Sequence, residues 1–364
     1  MAAAEYRGAL PEGDYHPARV ESWTLAGPDA AARRLDTLAR ATFDLPLDPL
    51  PLAHERAHDG ASDEASDPLS RALPTCRFVE TEPSGTTPKF DCVFEGGETV
   101  KVKYGRNSEI HAEVAATRLV RLLGYASDTM AIVPRVRCYG CPRYPFLATH
   151  LQATFGVPLL SRDRTAGGYT DFEWVAIERK FPARPVETAT DKGWGWWELK
   201  QSQAPRADLD AFRLTAIFLA HWDNKNENQR LVCLDETAPP PDGRCARPLA
   251  MIQDLGATFG PLKVNMARWR ELPIWLDRDE CTVSMRSLPF QGATFPDAAI
   301  SEAGRLQFAL RMAAITDADI ERLFADARFP QFQVGTDRAR DLKAWQAAFR
   351  HRVDQIVTAG PCPA

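Results

Sequence analysis

Four polar residues near the middle of the chain have the types and the spacing that phosphoryl transfer requires. Asp223, Lys225 and Asn228 follow an apolar segment, and Asp254 opens an Asp-Leu-Gly sequence further on. Phosphoryl transfer needs one carboxylate to orient and deprotonate the acceptor, and a second carboxylate with a neutral oxygen to hold magnesium. The spacing predicts Asp223 as the catalytic base, with Lys225 two residues after it. It predicts Asn228 and Asp254 as ligands of Mg²⁺ or Mn²⁺.

These residues form two motifs, the polar run that contains Asp223, Lys225 and Asn228, and the Asp-Leu-Gly sequence that begins at Asp254. Each motif also has an ordinary structural explanation. A polar run after an apolar helix is usually a solvated loop, and Asp-Leu-Gly after Met251 and Ile252 is a common way to end a strand in a turn. Here the two motifs occur in the order that catalysis needs, with the strand-like residues 231–234 between them. Their combination favours an active site over two unrelated loops.

A predicted strand upstream carries lysines that could hold the phosphates of a nucleotide. Residues 100–103 are Val-Lys-Val-Lys, and the alternation of a strand puts Lys101 and Lys103 on the same face. The sequence of this strand resembles the V-A-I-K strand of kinases, which implies Lys103 as the phosphate-binding residue, with Lys101 as its competitor. The carboxylate partner is expected on the following helix, where Glu113 is favoured over Glu109 because it lies in the helix body.

The loop at residues 83–89 is the candidate to cover the phosphates. It contains Gly85 and Thr86, and backbone amides with hydroxyl groups can cradle a phosphate. The loop has one glycine and no G-x-G-x-x-G pattern, so an ordinary hairpin turn explains it equally well. The hinge that would contact the nucleotide base is expected after residues 175–178.

Strands and helices must position these residues, and hydrophobic periodicity predicts where they lie. Strands are predicted around residues 76–79, 90–94, 99–103, 132–136, 172–177 and 231–234, with hairpin turns at 95–98 and 239–243. Helices are predicted at 31–39, 109–123, 301–313, 317–327 and 337–357. A further apolar helix, capped by Asp208, is expected to deliver the chain to His221.

Polar residues at the predicted helix ends are typical of caps. Asn107 or Ser108 is expected to begin the helix that ends before Gly124, and Thr316 and Thr336 are expected to begin the last two helices. Residues 54–70 have almost no apolar side chains, which predicts a mobile linker.

Composition excludes several classes of protein. The 364 residues carry 44 basic and 49 acidic side chains, a net charge of −5, which argues against nucleic acid as the main partner. No apolar run reaches the ~20 residues of a membrane span, and no apolar signal core follows Met1. A cytoplasmic location is therefore expected, and a chain trimmed of a secretion leader would look the same.

Eight cysteines are scattered along the chain, which is not the pattern of a small disulfide scaffold. Only Cys138 and Cys141 have a suggestive C-x-x-C spacing. They could form half of a zinc site completed by Cys233 and Cys245, or a redox pair. A tight turn with two reduced thiols is favoured, because no second C-x-x-C and no paired histidine follows.

A tryptophan-rich segment, Trp-Gly-Trp-Trp-Glu, occupies residues 194–198. Core packing is the favoured explanation, because Trp is usually largely buried. A surface that shapes the substrate site or a lobe interface is the alternative.

From residue 84 to about residue 260 the chain resembles the atypical branch of the protein-kinase-like superfamily. The likeness is to its HipA-like and phosphatidylinositol 3- and 4-kinase-like members, and to a group of bacterial proteins with a W-D-x-K-x-x-N loop. It is carried by Val-Lys-Tyr-Gly at 102–105, Leu-Gly-Tyr at 123–125, Trp-Asp-Asn-Lys-Asn-Glu-Asn-Gln at 222–229 and Asp-Leu-Gly-Ala-Thr-Phe-Gly at 254–260. The glycine-rich loop is degenerate and no A-P-E motif follows the D-L-G, which puts an ordinary protein substrate in doubt.

The resemblance implies an α+β, bilobal protein-kinase-like fold, with a small antiparallel β lobe that carries one helix and a larger, mainly helical lobe. Residues 1–75 are expected to form a partly disordered N-terminal extension, residues 76–180 the small lobe, and residues 181–364 the large lobe with C-terminal helices. Mg-ATP is expected to bind in the cleft between the lobes. The resemblance also implies that Lys225, two residues after Asp223, contacts the γ-phosphate that is transferred.

The implied activity is transfer of the γ-phosphoryl group of ATP, with Mg²⁺ or Mn²⁺, to a hydroxyl of a protein, lipid or small molecule. An enzyme that transfers AMP on the same fold is one alternative. An inactive pseudokinase that acts as a binding scaffold is a second, and a cysteine-based metal or redox protein is a third.

Overall fold

A computed structural model describes residues 22–45, 73–81, 85–94, 96–156, 168–234, 245–289, 291–329 and 338–363. The described chain has a mixed α/β fold and divides into two compact units. The first unit is drawn from Leu45–Arg106 and Val133–Arg179. The second is drawn from Val20–Asp44, Asn107–Ile132 and Lys180–Ala364.

Eleven strands and eight α-helices are present among the described residues. The strands are β1 (Trp23–Leu25), β2 (Thr75–Val79), β3 (Lys89–Phe94), β4 (Thr99–Lys103), β5 (Thr129–Tyr139), β6 (Tyr169–Arg179), β7 (Arg184–Thr188), β8 (Gln229–Cys233), β9 (Pro248–Ile252), β10 (Thr282–Val283) and β11 (Ala298–Ala299). The helices are α1 (Ala30–Ala39), α2 (Ser108–Leu122), α3 (Pro145–Phe155), α4 (Arg206–Leu219), α5 (Met266–Glu271), α6 (Glu302–Ala313), α7 (Asp317–Asp326) and α8 (Arg338–Val357).

The first unit is built around a closed barrel with the strand order β2-β3-β4-β6-β5. Alternate residues of β3 and β4 face its core, among them Phe90, Phe94, Val100 and Val102, as the two-residue period of a strand requires. The lysines of β4 therefore lie on the outer face.

The antiparallel prediction for this sheet is wrong at one pair, because β2 and β5 run parallel. The other barrel pairs that are described are antiparallel. Helix α2 lies between β4 and β5, so the chain reaches β5 by a crossover and not by a hairpin. Parallel strands need a crossover connection of this kind. The unit also contains α3, whereas α2 belongs to the second unit.

The second unit contains a four-stranded sheet in the order β1-β7-β8-β9. The hairpin of β8 and β9 pairs Gln229 with Ile252 and Cys233 with Pro248, so the two sequence motifs leave the sheet at the same end. The turn predicted at residues 239–243 lies outside the described residues, as do Thr336 and residues 54–70.

The helices of the second unit bury their predicted apolar faces. Helix α4 packs along α6, and α8 packs against α5, α6 and α7. The face of α8 predicted to be apolar is buried, with Leu342, Trp345, Phe349, Val353 and Ile356 all below a tenth exposed.

Most predicted caps are confirmed. The side chain of Asn107 accepts from the amide of Glu109, Thr316 forms a capping box with Asp319, and Gly124 has a φ of 86°. Asp208 is not a cap. Helix α4 begins at Arg206 after Pro205, whose fixed φ suits a helix start, and Asp208 instead accepts from Gln307 Nε2 at 2.6 Å.

All eight cysteines are paired in disulfides, so the prediction of reduced thiols is wrong. The pairs are Cys76–Cys92, Cys138–Cys141, Cys233–Cys245 and Cys281–Cys362. A zinc site completed by Cys233 and Cys245 is wrong as well, because those two residues bond to each other. The C-x-x-C spacing is compatible with the Cys138–Cys141 pair, which is the redox-pair alternative, whereas spacing cannot predict the other three pairs, because the fold decides which distant cysteines meet.

None of the helices in the described ranges combines the length and the apolar character needed to cross a membrane. Trp194 and Trp196 are completely buried, which confirms the core prediction for them, while Trp197 is half exposed.

Candidate active site

The predicted catalytic loop begins where α4 ends. Ala220 has a φ of 54°, and this left-handed turn directs the chain out of the helix. The main-chain amide of His221 still donates to Ala216 at 3.0 Å. The loop then runs through a short 3₁₀ helix at Asn226–Asn228 directly into β8.

The β8–β9 hairpin holds the two predicted metal ligands together. The main-chain oxygen of Asn228 accepts from the amides of Gln253 and Asp254 at 2.9 and 3.1 Å. These two bonds extend the hairpin ladder one step beyond the strands. The predicted ligands on separate motifs are therefore adjacent in the structure.

The side chains of these two residues suit a hard divalent cation. Asn228 Nδ2 donates to the main-chain oxygen of Asp223 at 2.6 Å, which orients the amide so that its oxygen is left for a ligand. One carboxylate oxygen of Asp254 accepts from the Gly256 amide at 3.2 Å. An amide oxygen and a carboxylate are ligands that Mg²⁺ takes in proteins, so the residues present fit the predicted metal.

Asp223 has a carboxyl group that is only weakly held. Its Oδ1 is buried and has no hydrogen-bond partner among the described residues, and its Oδ2 lies 3.6 Å from Lys225 Nζ. Burial raises the pKa of Asp223 above its ordinary value, and the nearby Lys225 opposes that rise. A carboxylate with a raised pKa is a better proton acceptor at neutral pH.

His221 connects the catalytic loop to the D-L-G loop. The side chain is completely buried, and its Nε2 lies 2.9 Å from the main-chain oxygen of Asp254. Burial lowers the pKa of His221 to about 4, so the ring is neutral at pH 7. Because a carbonyl can only accept, Nε2 carries the proton and donates it. The amide of Trp222 donates to Ala257 beside it, at 3.3 Å.

The tryptophan-rich segment lies directly against the catalytic loop, which sequence analysis did not predict. A Cβ on Gly193 would come within 1.9 Å of the main-chain oxygen of Asn226, and one on Gly195 within 2.8 Å of Asn226 Oδ1. Trp194 Nε1 donates to the Arg230 main-chain oxygen at 2.9 Å. The sequence signal that could have predicted this close approach of two backbone segments is the pair Gly193 and Gly195, because glycine has no side chain to prevent such contact.

A buried ion pair between Arg34 and Glu198 stabilises this segment. Arg34 of α1 donates to the Gly193 main-chain oxygen at 2.9 Å and pairs with Glu198. Glu198 in turn accepts from the Gly195 amide at 2.7 Å. The described part of the N-terminal region is thus built into the unit that carries the catalytic loop.

The predicted phosphate lysines lie on the outer face of the barrel. Lys103 Nζ lies 2.8 Å from Glu178 Oε2, and Lys101 Nζ lies 3.3 Å from Glu178 Oε1. Glu178 and Lys103 are both nearly completely buried. Sequence analysis missed Glu178, because its position opposite Lys101 depends on the pairing of β4 with β6.

The remaining predicted residues are two carboxylates of the second unit and two residues of a loop in the first unit. Glu113 is buried in the body of α2, and Glu109 lies in its first turn, with its Cβ 3.5 Å from where a Cβ on Gly256 would stand. Gly85, with a φ of 74°, and Thr86 lie between β2 and β3. The roles of these four residues remain predictions.

Comparisons with known proteins give likenesses in structure alone. No protein-family model matches the chain, and no curated protein matches its sequence. A Helicobacter pylori proinflammatory kinase, CtkA, is 9% identical with a TM-score of 0.42, over 78% of this chain and 96% of that chain. A Golgi casein kinase with bound Mn and ADP is 11% identical with a TM-score of 0.35, over 79% and 73% of the two chains.

A third likeness is to HipA of Shewanella oneidensis MR-1, from a complex with HipB and operator DNA. It is 12% identical with a TM-score of 0.31, over 83% of this chain and 69% of that chain. At these identities and TM-scores the likenesses carry no argument about activity. The functional assignment therefore rests on the residues of this chain.

Proposed function

We propose that the chain is a protein-kinase-like phosphotransferase that uses ATP and Mg²⁺ or Mn²⁺. The observation that carries the proposal is the arrangement around Asp223. One carboxyl oxygen of Asp223 has no hydrogen-bond partner among the described residues, and Asp223 lies in the same loop as Asn228, whose main chain is hydrogen-bonded to Asp254. The Asp223 side chain is 24% exposed, so a bound acceptor can reach the carboxyl group.

Asp223 would act as the base in this proposal. An acceptor hydroxyl donates its proton to the Asp223 carboxylate, its oxygen bonds to the γ-phosphorus of ATP, and the bond to the bridging oxygen breaks, which releases ADP. The raised pKa of Asp223 favours that proton transfer. Lys225, whose side chain is 42% exposed, can move to contact the transferred phosphoryl group.

Asn228 and Asp254 would hold the metal ion, which would neutralise charge on the phosphates. The backbone bonds between them fix the spacing of the two ligand side chains, and His221 holds the Asp254 main chain from the other side. Lys103 would bind the nucleotide phosphates, with Glu178 orienting its ammonium group. Lys101 remains the competitor for that role.

The acceptor is proposed only as a hydroxyl compound: a protein, a lipid head group or a small molecule. Nucleic acid is not expected as a partner. A cytoplasmic location remains a sequence-based prediction, and the four disulfides count against it, because disulfides persist mainly in oxidising compartments.

Incubation of the purified chain with Mg²⁺ and ATP labelled at the γ-phosphate, alone and with cell lysate, tests the proposal. Products labelled and heavier by one phosphoryl group support it. Products heavier by AMP, labelled only from α-labelled ATP, identify the AMP-transferring alternative. If neither product forms and Mg-ATP does not bind, the result contradicts the proposal and favours the scaffold alternative.

A further inference from the structure

Asn224 lies between Asp223 and Lys225, and sequence analysis gave it no role. Its side chain is completely buried. The amide nitrogen donates to the main-chain oxygen of His221 at 2.9 Å. This bond joins a side chain to the carbonyl three residues earlier and closes a turn around Trp222 and Asp223. The turn restricts the directions in which the Asp223 side chain can point.

The other end of the Asn224 amide is bonded to a distant segment. Its Oδ1 accepts from the main-chain amides of Thr294 and Phe295 at 2.7 and 2.9 Å. The Thr294 hydroxyl donates to the Asn224 main-chain oxygen at 2.5 Å and accepts from the Trp196 amide at 3.2 Å. Residues 294–295 and the tryptophan-rich segment thus both hold the backbone next to Asp223.

We infer that Asn224, together with Thr294, is a positioning element for Asp223. The inference rests on the proposed phosphotransferase function and identifies residues that make it efficient. One carboxyl oxygen of Asp223 has no hydrogen-bond partner among the described residues and the other lies 3.6 Å from Lys225, so the direction of the carboxyl group depends largely on the backbone that carries it. A displacement of ~1 Å at a reacting group can cost about 100-fold in rate.

Two substitutions of Thr294 test whether its hydroxyl group positions Asp223. Thr294→Val removes the hydroxyl and keeps the volume, whereas Thr294→Ser keeps the hydroxyl. The assay uses the full chain with Mg-ATP. Turnover is measured as the sum of the phosphate released by hydrolysis and the labelled phosphate transferred to an acceptor. Thr294→Val is expected to lower kcat by about 10- to 100-fold and leave the KM for ATP unchanged. Thr294→Ser is expected to retain the wild-type kcat.

Thr316→Val is the control for loss of stability alone. It removes the cap of α7, which is not part of the catalytic loop, and should lower the melting temperature without lowering kcat. Wild-type kcat in Thr294→Val, or an equal loss in Thr294→Ser, would overturn the inference while leaving the proposed function intact. If the wild-type chain neither binds nor turns over Mg-ATP, the proposed function fails and the inference fails with it.

Discussion

At the scale of single residues, burial shifts the pKa of the two titratable side chains that begin the predicted catalytic loop. It raises the pKa of Asp223 and lowers that of His221 to about 4. In both cases removal from water disfavours the charged form. The consequences differ, because the Asp223 carboxylate becomes a better proton acceptor, while the His221 ring is neutral at pH 7 and donates to the main-chain oxygen of Asp254.

The buried His221 should make the fold sensitive to acid. Its pKa is about 4 in the folded chain and about 6.5 when exposed, so between those values the unfolded chain binds more protons. Stability should therefore rise with pH across this window and level off above it, by up to roughly 3 kcal/mol from this residue. Urea unfolding at pH 7.5 and 4.5 checks this, with His221→Gln losing less stability on acidification than the wild type. Equal losses would contradict the assignment of a buried neutral ring.

Gly193, which precedes the tryptophan-rich segment, and Gly195 within it should both be intolerant of a side chain. In Gly193→Ala the new Cβ would meet a backbone oxygen at 1.9 Å, whereas in Gly256→Ala the nearest atoms lie at 3.4–3.5 Å. Overpacking of this kind costs about 1–3 kcal/mol. Melting temperatures should fall markedly for Gly193→Ala and little for Gly256→Ala. A wild-type melting temperature for Gly193→Ala would show that the segment does not press on the loop.

At the scale of elements, the β8–β9 hairpin is what converts two separated motifs into one site. The hairpin could be anticipated, because a strand at residues 231–234 and a hairpin turn at 239–243 were predicted, but its register comes from the structure. The ends of α2 and α7 were predictable for a similar reason, since caps depend on local sequence. By contrast, the contacts of Glu178 with Lys103 and of Asn224 with Thr294 depend on which distant segments meet, and no local pattern encodes that.

The pairing of Lys103 with Glu178 changes what a lysine substitution should do. Removing Lys103 leaves a nearly completely buried carboxylate without its closest cation, which is destabilising. Lys103→Met should therefore lower both the melting temperature and ATP affinity. The double variant Lys103→Met/Glu178→Gln should regain melting temperature but not ATP affinity, which a double-mutant cycle measures. If Lys101→Met abolishes ATP binding and Lys103→Met does not, Lys101 is the phosphate lysine.

At the scale of the whole molecule, four disulfides cross-link the chain, whereas reduced thiols were predicted at Cys138 and Cys141. Two lie in the barrel unit, at Cys76–Cys92 and Cys138–Cys141. Cys281–Cys362 closes the longest loop, with a sequence separation of 81. Long closed loops restrict the unfolded chain most in the chain-entropy account of disulfides.

The disulfides should be detectable and stabilising in protein produced under oxidising conditions. Titration of the denatured chain should find no free thiol, and peptide mass mapping should recover the four pairs. Cys281→Ser/Cys362→Ser should lower the free energy of unfolding by about 2–5 kcal/mol. Eight titratable thiols in protein isolated from its native compartment would contradict the pairing and support the cytoplasmic prediction.

The most direct measurement of the central claim compares the wild type with Asp223→Asn in one Mg-ATP assay. The substitution keeps the size of the side chain and removes its ability to accept a proton. Nucleotide affinity and melting temperature should be unchanged, while turnover falls by a factor on the order of 10² to 10⁴. Asp254→Ala, in the same assay, should remove the metal-dependent part of ATP binding. Unchanged turnover in Asp223→Asn together with a lowered melting temperature would show that Asp223 is a structural residue and not the base.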